Sequence, residues 1–218
     1  MTFDGALGKA AILLGICVTT AAFSWTADSG LKMGLMMIGL IGGFIAAMVA
    51  MFKAEWSPVA GPIYAALEGL VLGGISSLMA LRYQGIVLNA IFLTFAVLAL
   101  MLVLFTTRIV RVTQGLRTAV IAATLAVGVV YLIDMVMHLF GVSVPFIHST
   151  GPLGIGISVL IVGIASFNLL LDFDSIEQNV RARAPKYMEW YCGVALLVTL
   201  VWLYLEMLRL LSKLQDRR

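Results

Sequence analysis

Hydrophobic positions in this chain come in long runs and do not alternate with polar ones. Seven runs stand out, roughly 6–26, 31–52, 59–81, 86–105, 117–140, 153–171 and 187–211. Each approaches the ~20 residues that a helix needs to cross the hydrocarbon of a bilayer. Inside lipid, backbone N–H and C=O groups must be satisfied within their own segment, so the runs predict helices. Strands of a membrane barrel would read as alternating segments of about ten residues, and none is seen. The expectation is an all-α membrane protein with seven transmembrane helices, forming a single transmembrane domain over 1–218.

Prolines punctuate this pattern. Pro58 and Pro62 open the third run, Pro145 and Pro152 bracket the fifth-to-sixth connection, and Pro185 precedes the seventh run. Proline suits a helix start or a turn. The first run could serve as a secretory leader. Asp4 beside Lys9, and no clear small-x-small cleavage site, favour a retained helix. The longest connection is expected over 172–186.

Composition agrees. Hydrophobic residues make up 62% of the chain and charged residues only 11%, against about a quarter charged in soluble domains. A water-soluble enzyme is excluded as the default. The 14 Lys and Arg fall at the ends of apolar runs, so the net charge of +3 marks no nucleic-acid stripe. Cys17 and Cys192 lie within apolar runs and form neither a disulfide framework nor a zinc spacing. No HExxH, GxSxG, P-loop or GxGxxG occurs. The expectation is no enzyme and no cofactor, with calcium at most as a transported ion. His148 falls in a loop and receives no role.

Basic residues set orientation. Lys9, Lys53, Arg108, Arg111, Arg117, Arg181, Arg183 and Lys186 fall on the N-terminal side, against Lys32, Arg82, Arg209, Lys213, Arg217 and Arg218 on the other. The N-terminus is expected to be cytoplasmic, although the basic end of the chain runs against this bias. Lipid gives helices no hydrophobic drive to associate, so close contact needs small residues. Gly39 and Gly43 in the second run, and Gly69 and Gly73 in the third, have the GxxxG spacing. Gly154, Gly156, Ser158 and Gly163 supply small residues in the sixth.

Ionisable groups within apolar runs are costly and face the bundle interior or water. Glu68 lies mid-run in the third helix, far from any basic residue on its own helix. It is either a neutral side chain hydrogen-bonded to a neighbouring helix or part of an ion or proton path. Asp134 and His138 are four apart on the fifth run and share a face, as an interfacial pair or a pH-responsive one. Asp172, Asp174 and Glu177 gather at the end of the sixth run. Oxygen ligands suit calcium, so Asp174 with Asp172 is a weak candidate metal site, although Glu177 with Arg181 also reads as an ordinary ion pair. Glu206, in the last run, has Arg209 three residues on.

Several stretches together carry a resemblance. Trp56-Ser57-Pro58 precedes Pro62-Ile63-Tyr64 and Glu68-Gly69-Leu70, and Tyr83-Gln84-Gly85-Ile86-Val87 opens the fourth run. Leu171-Asp172-Phe173-Asp174-Ser175-Ile176-Glu177 closes the sixth. Glu189-Trp190-Tyr191 opens the seventh, which ends Trp202-Leu203-Tyr204-Leu205-Glu206-Met207-Leu208-Arg209. Over nearly the whole chain this resembles the Bax inhibitor-1 family, in its bacterial YccA-like branch. The resemblance implies six helices around a central last helix, and a calcium leak sensitive to pH. It implies two aspartates, at the end of helix six and within helix seven, that share a proton and gate the path. Asp174 matches the first position best, with Asp172 the near alternative. The second position holds Thr199, so the pair is incomplete unless Glu68 supplies the carboxylate. Lys53 matches a basic residue that can pair with the helix-six aspartate.

Two functions follow as expectations. One is a pH-sensitive passive leak for calcium or another cation, in the plasma membrane of a bacterium, with Asp174, Asp172, Glu68, Glu177, Thr199, Glu206 and Lys53 along the path or in the sensor. The other is a non-conducting regulator that binds a membrane protease or another membrane protein through a short N-terminal tail or the basic tail from Lys213 to Arg218. The partners expected are the lipid bilayer, a cation and a membrane protease, with no nucleic acid.

Overall fold

A computed structural model describes residues 1–140, 149 and 151–217. Pro145 and His148 lie outside the described residues. Seven helices are long and apolar enough to cross a membrane among those residues. They are α1 (Phe3–Thr26), α2 (Ser29–Phe52), α3 (Ser57–Arg82), α4 (Ile86–Thr106), α5 (Gln114–Leu139), α6 (Pro152–Arg181) and α7 (Met188–Gln215), with a 3-10 turn at Ala54–Trp56 before α3.

Local chemistry explains the helix ends. Thr2 caps α1 by accepting from the Gly5 N–H at 3.1 Å, and Thr113 caps α5 by accepting from Leu116 at 3.2 Å. Gly85 turns the chain into α4 at φ 72°, a backbone region that disfavours any side chain with a Cβ. Pro58 occupies the first turn of α3, but Pro62 stands inside the helix and not at its edge.

The sixth helix corrects the expected connection over 172–186. Asp172 to Arg181 continue α6 to a length of about 45 Å, well beyond a bilayer core. Two i,i+4 pairs support the extension. Gln178 donates to Asp174 at 2.7 Å, and Arg181 bonds Glu177 at 2.6 Å. The helix then ends in a Schellman motif. The Ala184 N–H returns to the Asn179 carbonyl and that of Arg183 to Val180, both at 3.0 Å, with Arg183 at φ 51°. Pro185 follows.

The chain forms two compact units, Met1–Gln84 with Asp174–Val198, and Gly85–Phe173 with Thr199–Arg218. In the first unit α3 packs against both α1 and α2. A Cβ at Gly69 would collide with the Thr20 hydroxyl and the Cys17 carbonyl, and one at Gly73 with the Ala21 carbonyl. A Cβ at Gly39 of α2 would sit 2.6 Å from the Leu67 carbonyl of α3. The backbones therefore approach as closely as small residues permit. Buried Ser24 of α1 adds a bond to the Leu70 carbonyl at 2.8 Å. Ser24→Ala is expected to cost about 0.6–1 kcal/mol, seen as a small fall in the unfolding midpoint in detergent. An unchanged midpoint would show that this bond contributes nothing.

In the same unit the start of α7 meets the start of the chain. Buried Glu189 accepts from the Thr2 backbone N–H at 3.0 Å and from its hydroxyl at 3.4 Å. Lys9 lies over the Trp190 ring at 4.7 Å. In the second unit the rings of Phe105 of α4 and Phe173 of α6 meet at a tilt of 42°, with centroids 5.8 Å apart.

Candidate functional site

The second unit contains the most developed polar structure inside the spans, where α6 and α7 run against each other. Thr199 of α7 donates its hydroxyl to the Asp172 carboxylate of α6. The other Asp172 oxygen, Oδ2, is enclosed and has no hydrogen-bond partner among the described residues. Leaving such an acceptor unsatisfied costs about 1–3 kcal/mol. Native structures rarely carry such an atom without a reason.

One turn back on α6, Asn168 donates to Thr124 of α5 at 2.7 Å and to the Ile164 carbonyl at 2.9 Å. Two helical turns along α7 from Thr199 stands Glu206, 1% exposed. Its Oε1 accepts from the Tyr131 hydroxyl of α5 at 2.6 Å and from Arg209 at 2.9 Å. Arg209 also donates to the Tyr131 oxygen and lies 4.8 Å from the ring centroid. The phenol thus bridges cation and anion, and its face meets the guanidinium. Farther along, buried Lys213 donates to Ser158 Oγ at 2.8 Å and to the Gly154 carbonyl at 3.0 Å, both on α6.

Thr199, Glu206 and Lys213 are successive heptad positions, as are Asp172, Ala165 and Ser158 read backward on α6. Equal separation on two antiparallel helices keeps Asp172 beside Thr199 and Ser158 beside Lys213 in one register. The polar groups on α7 therefore form a stripe about 21 Å long.

The expected residues distribute unevenly around this seam. Asp172, and not Asp174, meets the Thr199 position. Asp174 sits two residues on, where helical geometry turns it to another face, and it bonds Gln178. Asp172 and Asp174 therefore do not converge as a pair. Among the described residues no group of three or more His, Cys, Asp or Glu could hold a metal ion. Glu177 is engaged by Arg181 near the water-facing end of α6, with side chains 32% and 66% exposed. Lys53 is exposed at the end of α2 and lies 5.5 Å from the Trp56 ring centroid. His138 is exposed at the end of α5.

Glu68 belongs to the first unit. It is half-buried, with Oε2 3.5 Å from where a Cβ on Gly43 of α2 would lie. Cys17 of α1 and Tyr64 of α3 are within electrostatic reach. Its carboxylate accepts no hydrogen bond among the described residues. It faces the junction of α1, α2 and α3.

Sequence reasoning missed Tyr131, Asn168, the bond that Ser158 accepts and the burial of Lys213. Tyr131 carried no signal, since its partner is far away in the chain. Lys213 did, through its heptad spacing from Glu206 and Thr199. It is no part of a free basic tail, because α7 continues to Gln215 and the ammonium is held against α6.

Comparison with known proteins agrees with the helices. The family model described as Bax inhibitor 1 like matches residues 1–216. No curated protein matches the chain. A multi-pass helical chain matched almost end to end by that model belongs to the Bax inhibitor-1-like family.

Proposed function

We propose that this protein is a passive, pH-sensitive leak for calcium or a similar cation, not an enzyme. The observation that carries the reading is Asp172. Its carboxylate lies in a membrane helix, with one oxygen bonded by Thr199 and the other enclosed without a partner among the described residues. A cation reaching that oxygen would satisfy it, and proton binding there would cancel the charge the cation meets. Thr199 replaces the second aspartate of the family's pair with a hydroxyl. In this chain Asp172 then titrates without a carboxylate at that position, and Glu68 serves as a separate acidic group in the first unit. The proposed arrangement sets six helices around α7, supported by burial. Of α7's apolar stretch 56% is buried, against 6% for α5. The setting proposed is a bacterial plasma membrane with the N-terminus inside, and the chain is placed in the YccA-like branch.

The test is calcium entry into liposomes that carry the purified protein, followed with a trapped dye between about pH 6 and about pH 8. Asp172→Asn keeps the shape and removes the titrating group. It is expected to flatten the pH response while the protein stays folded. A pH response as steep as wild type would remove Asp172 from the mechanism. No flux above empty liposomes, from folded protein, would favour the regulator that binds a membrane protease, a reading supported by the missing second aspartate.

A further inference from the structure

We propose that Lys213 is a fixed positive barrier that throttles cation passage along the α6–α7 seam of the second unit. The inference rests on the leak reading and assigns its rate-limiting side chain. Three polar layers lie along the seam. Asp172 with Thr199 presents negative charge or a neutral acid. In the second layer Glu206 is compensated by Arg209 at 2.9 Å. In the third, Lys213 is 5% exposed, and both of its acceptors, Ser158 Oγ and the Gly154 carbonyl, are uncharged. No carboxylate among the described residues forms an ion pair with it. Glu206, one layer away, and Arg209 are the charges that act on it, and Arg209 adds to its sign.

The backbone strengthens the same sign. Gly154 lies in the first turn of α6, at the positive end of the helix dipole. A cation moving along the seam from Asp172 therefore meets an ammonium and a helix N-terminus together. Low local polarity makes that repulsion stronger than it would be in water. A neutral donor would make the same two hydrogen bonds without the cost of placing a charge there. An anchoring role thus accounts for the bonds but not for the charge.

The full chain in calcium-dye liposomes tests this with Lys213→Gln, which keeps a donor for the two acceptors, and Lys213→Arg, which keeps the charge. The expected result is flux raised about fivefold or more by Lys213→Gln, with Lys213→Arg close to wild type. Should Lys213→Gln fail to fold, Lys213→Met is the second charge-free variant, with the same expected rise. Wild-type flux that the charge-free variants do not change would overturn the barrier and leave the leak standing. A rise in both Lys213→Gln and Lys213→Arg would make Lys213 a packing plug and would also overturn it. No flux from wild type or from any variant would remove the leak reading and the barrier with it.

Discussion

Gly73→Leu is expected to lower the unfolding midpoint of the detergent-solubilised protein by roughly 6–12 °C, a loss of about 3 kcal/mol. A Cβ at Gly73 would overlap the Ala21 carbonyl, with the Ala21 carbonyl carbon at 2.8 Å and its Cα at 2.9 Å. These are backbone atoms of α1, so no rotamer change can clear them. The helices must separate, and the Ser24 bond to Leu70 and the contact at Gly69 separate with them. The control is Gly156→Leu. Nothing lies within 4 Å of a Cβ there, and leucine is the better helix former. Gly156→Leu should leave the midpoint within a degree or two. Equal stability of the two variants would show that the α1–α3 contact is not as close as described.

Glu206→Ala is expected to cost about 2–3 kcal/mol. Breaking a buried ion pair by removing one partner costs about 3–5 kcal/mol. Here the Arg209 side chain is 37% exposed, so water recovers part of its solvation and the smaller figure applies. The Tyr131 hydroxyl loses its acceptor as well. Glu206→Gln keeps an acceptor for that hydroxyl and should cost less. A double-mutant cycle with Tyr131→Phe isolates the Tyr131–Glu206 coupling. Additive losses would show that the phenol and the carboxylate act independently, and an unchanged midpoint in Glu206→Ala would show that the cluster does not hold the unit together.

Legibility in the sequence differed between elements for identifiable reasons. The seven spans were legible because lipid leaves an apolar run of this length no alternative to a helix. The GxxxG glycines of α2 and α3 were legible because close backbone contact requires small residues wherever it occurs. The end of α6 was not. Asp172 to Arg181 is polar, and hydropathy does not distinguish a polar helix from a polar loop. The i,i+4 pairs of Asp174 and Glu177 were visible in the spacing, and they argue for the helix that forms. The choice between Asp172 and Asp174 was likewise beyond the sequence. The two lie on different faces of one helix, and only the register of α7 decides which meets Thr199.

The sequence by itself determined the membrane class, the number of spans, the stripe of small residues on α3 and the presence of acids inside the spans. Each follows from local physics: transfer of apolar residues into lipid, the helical period and the cost of a buried charge. Only the tertiary structure decided which acids are satisfied. Glu206 is engaged by Tyr131 and Arg209, Asp172 keeps one oxygen without a partner among the described residues, and Lys213 is drawn out of an apparent tail onto Ser158. Those outcomes depend on groups brought together from distant parts of the chain. The energy of a buried polar group is set by what faces it across the helix interface, and no window along one strand of sequence contains that information.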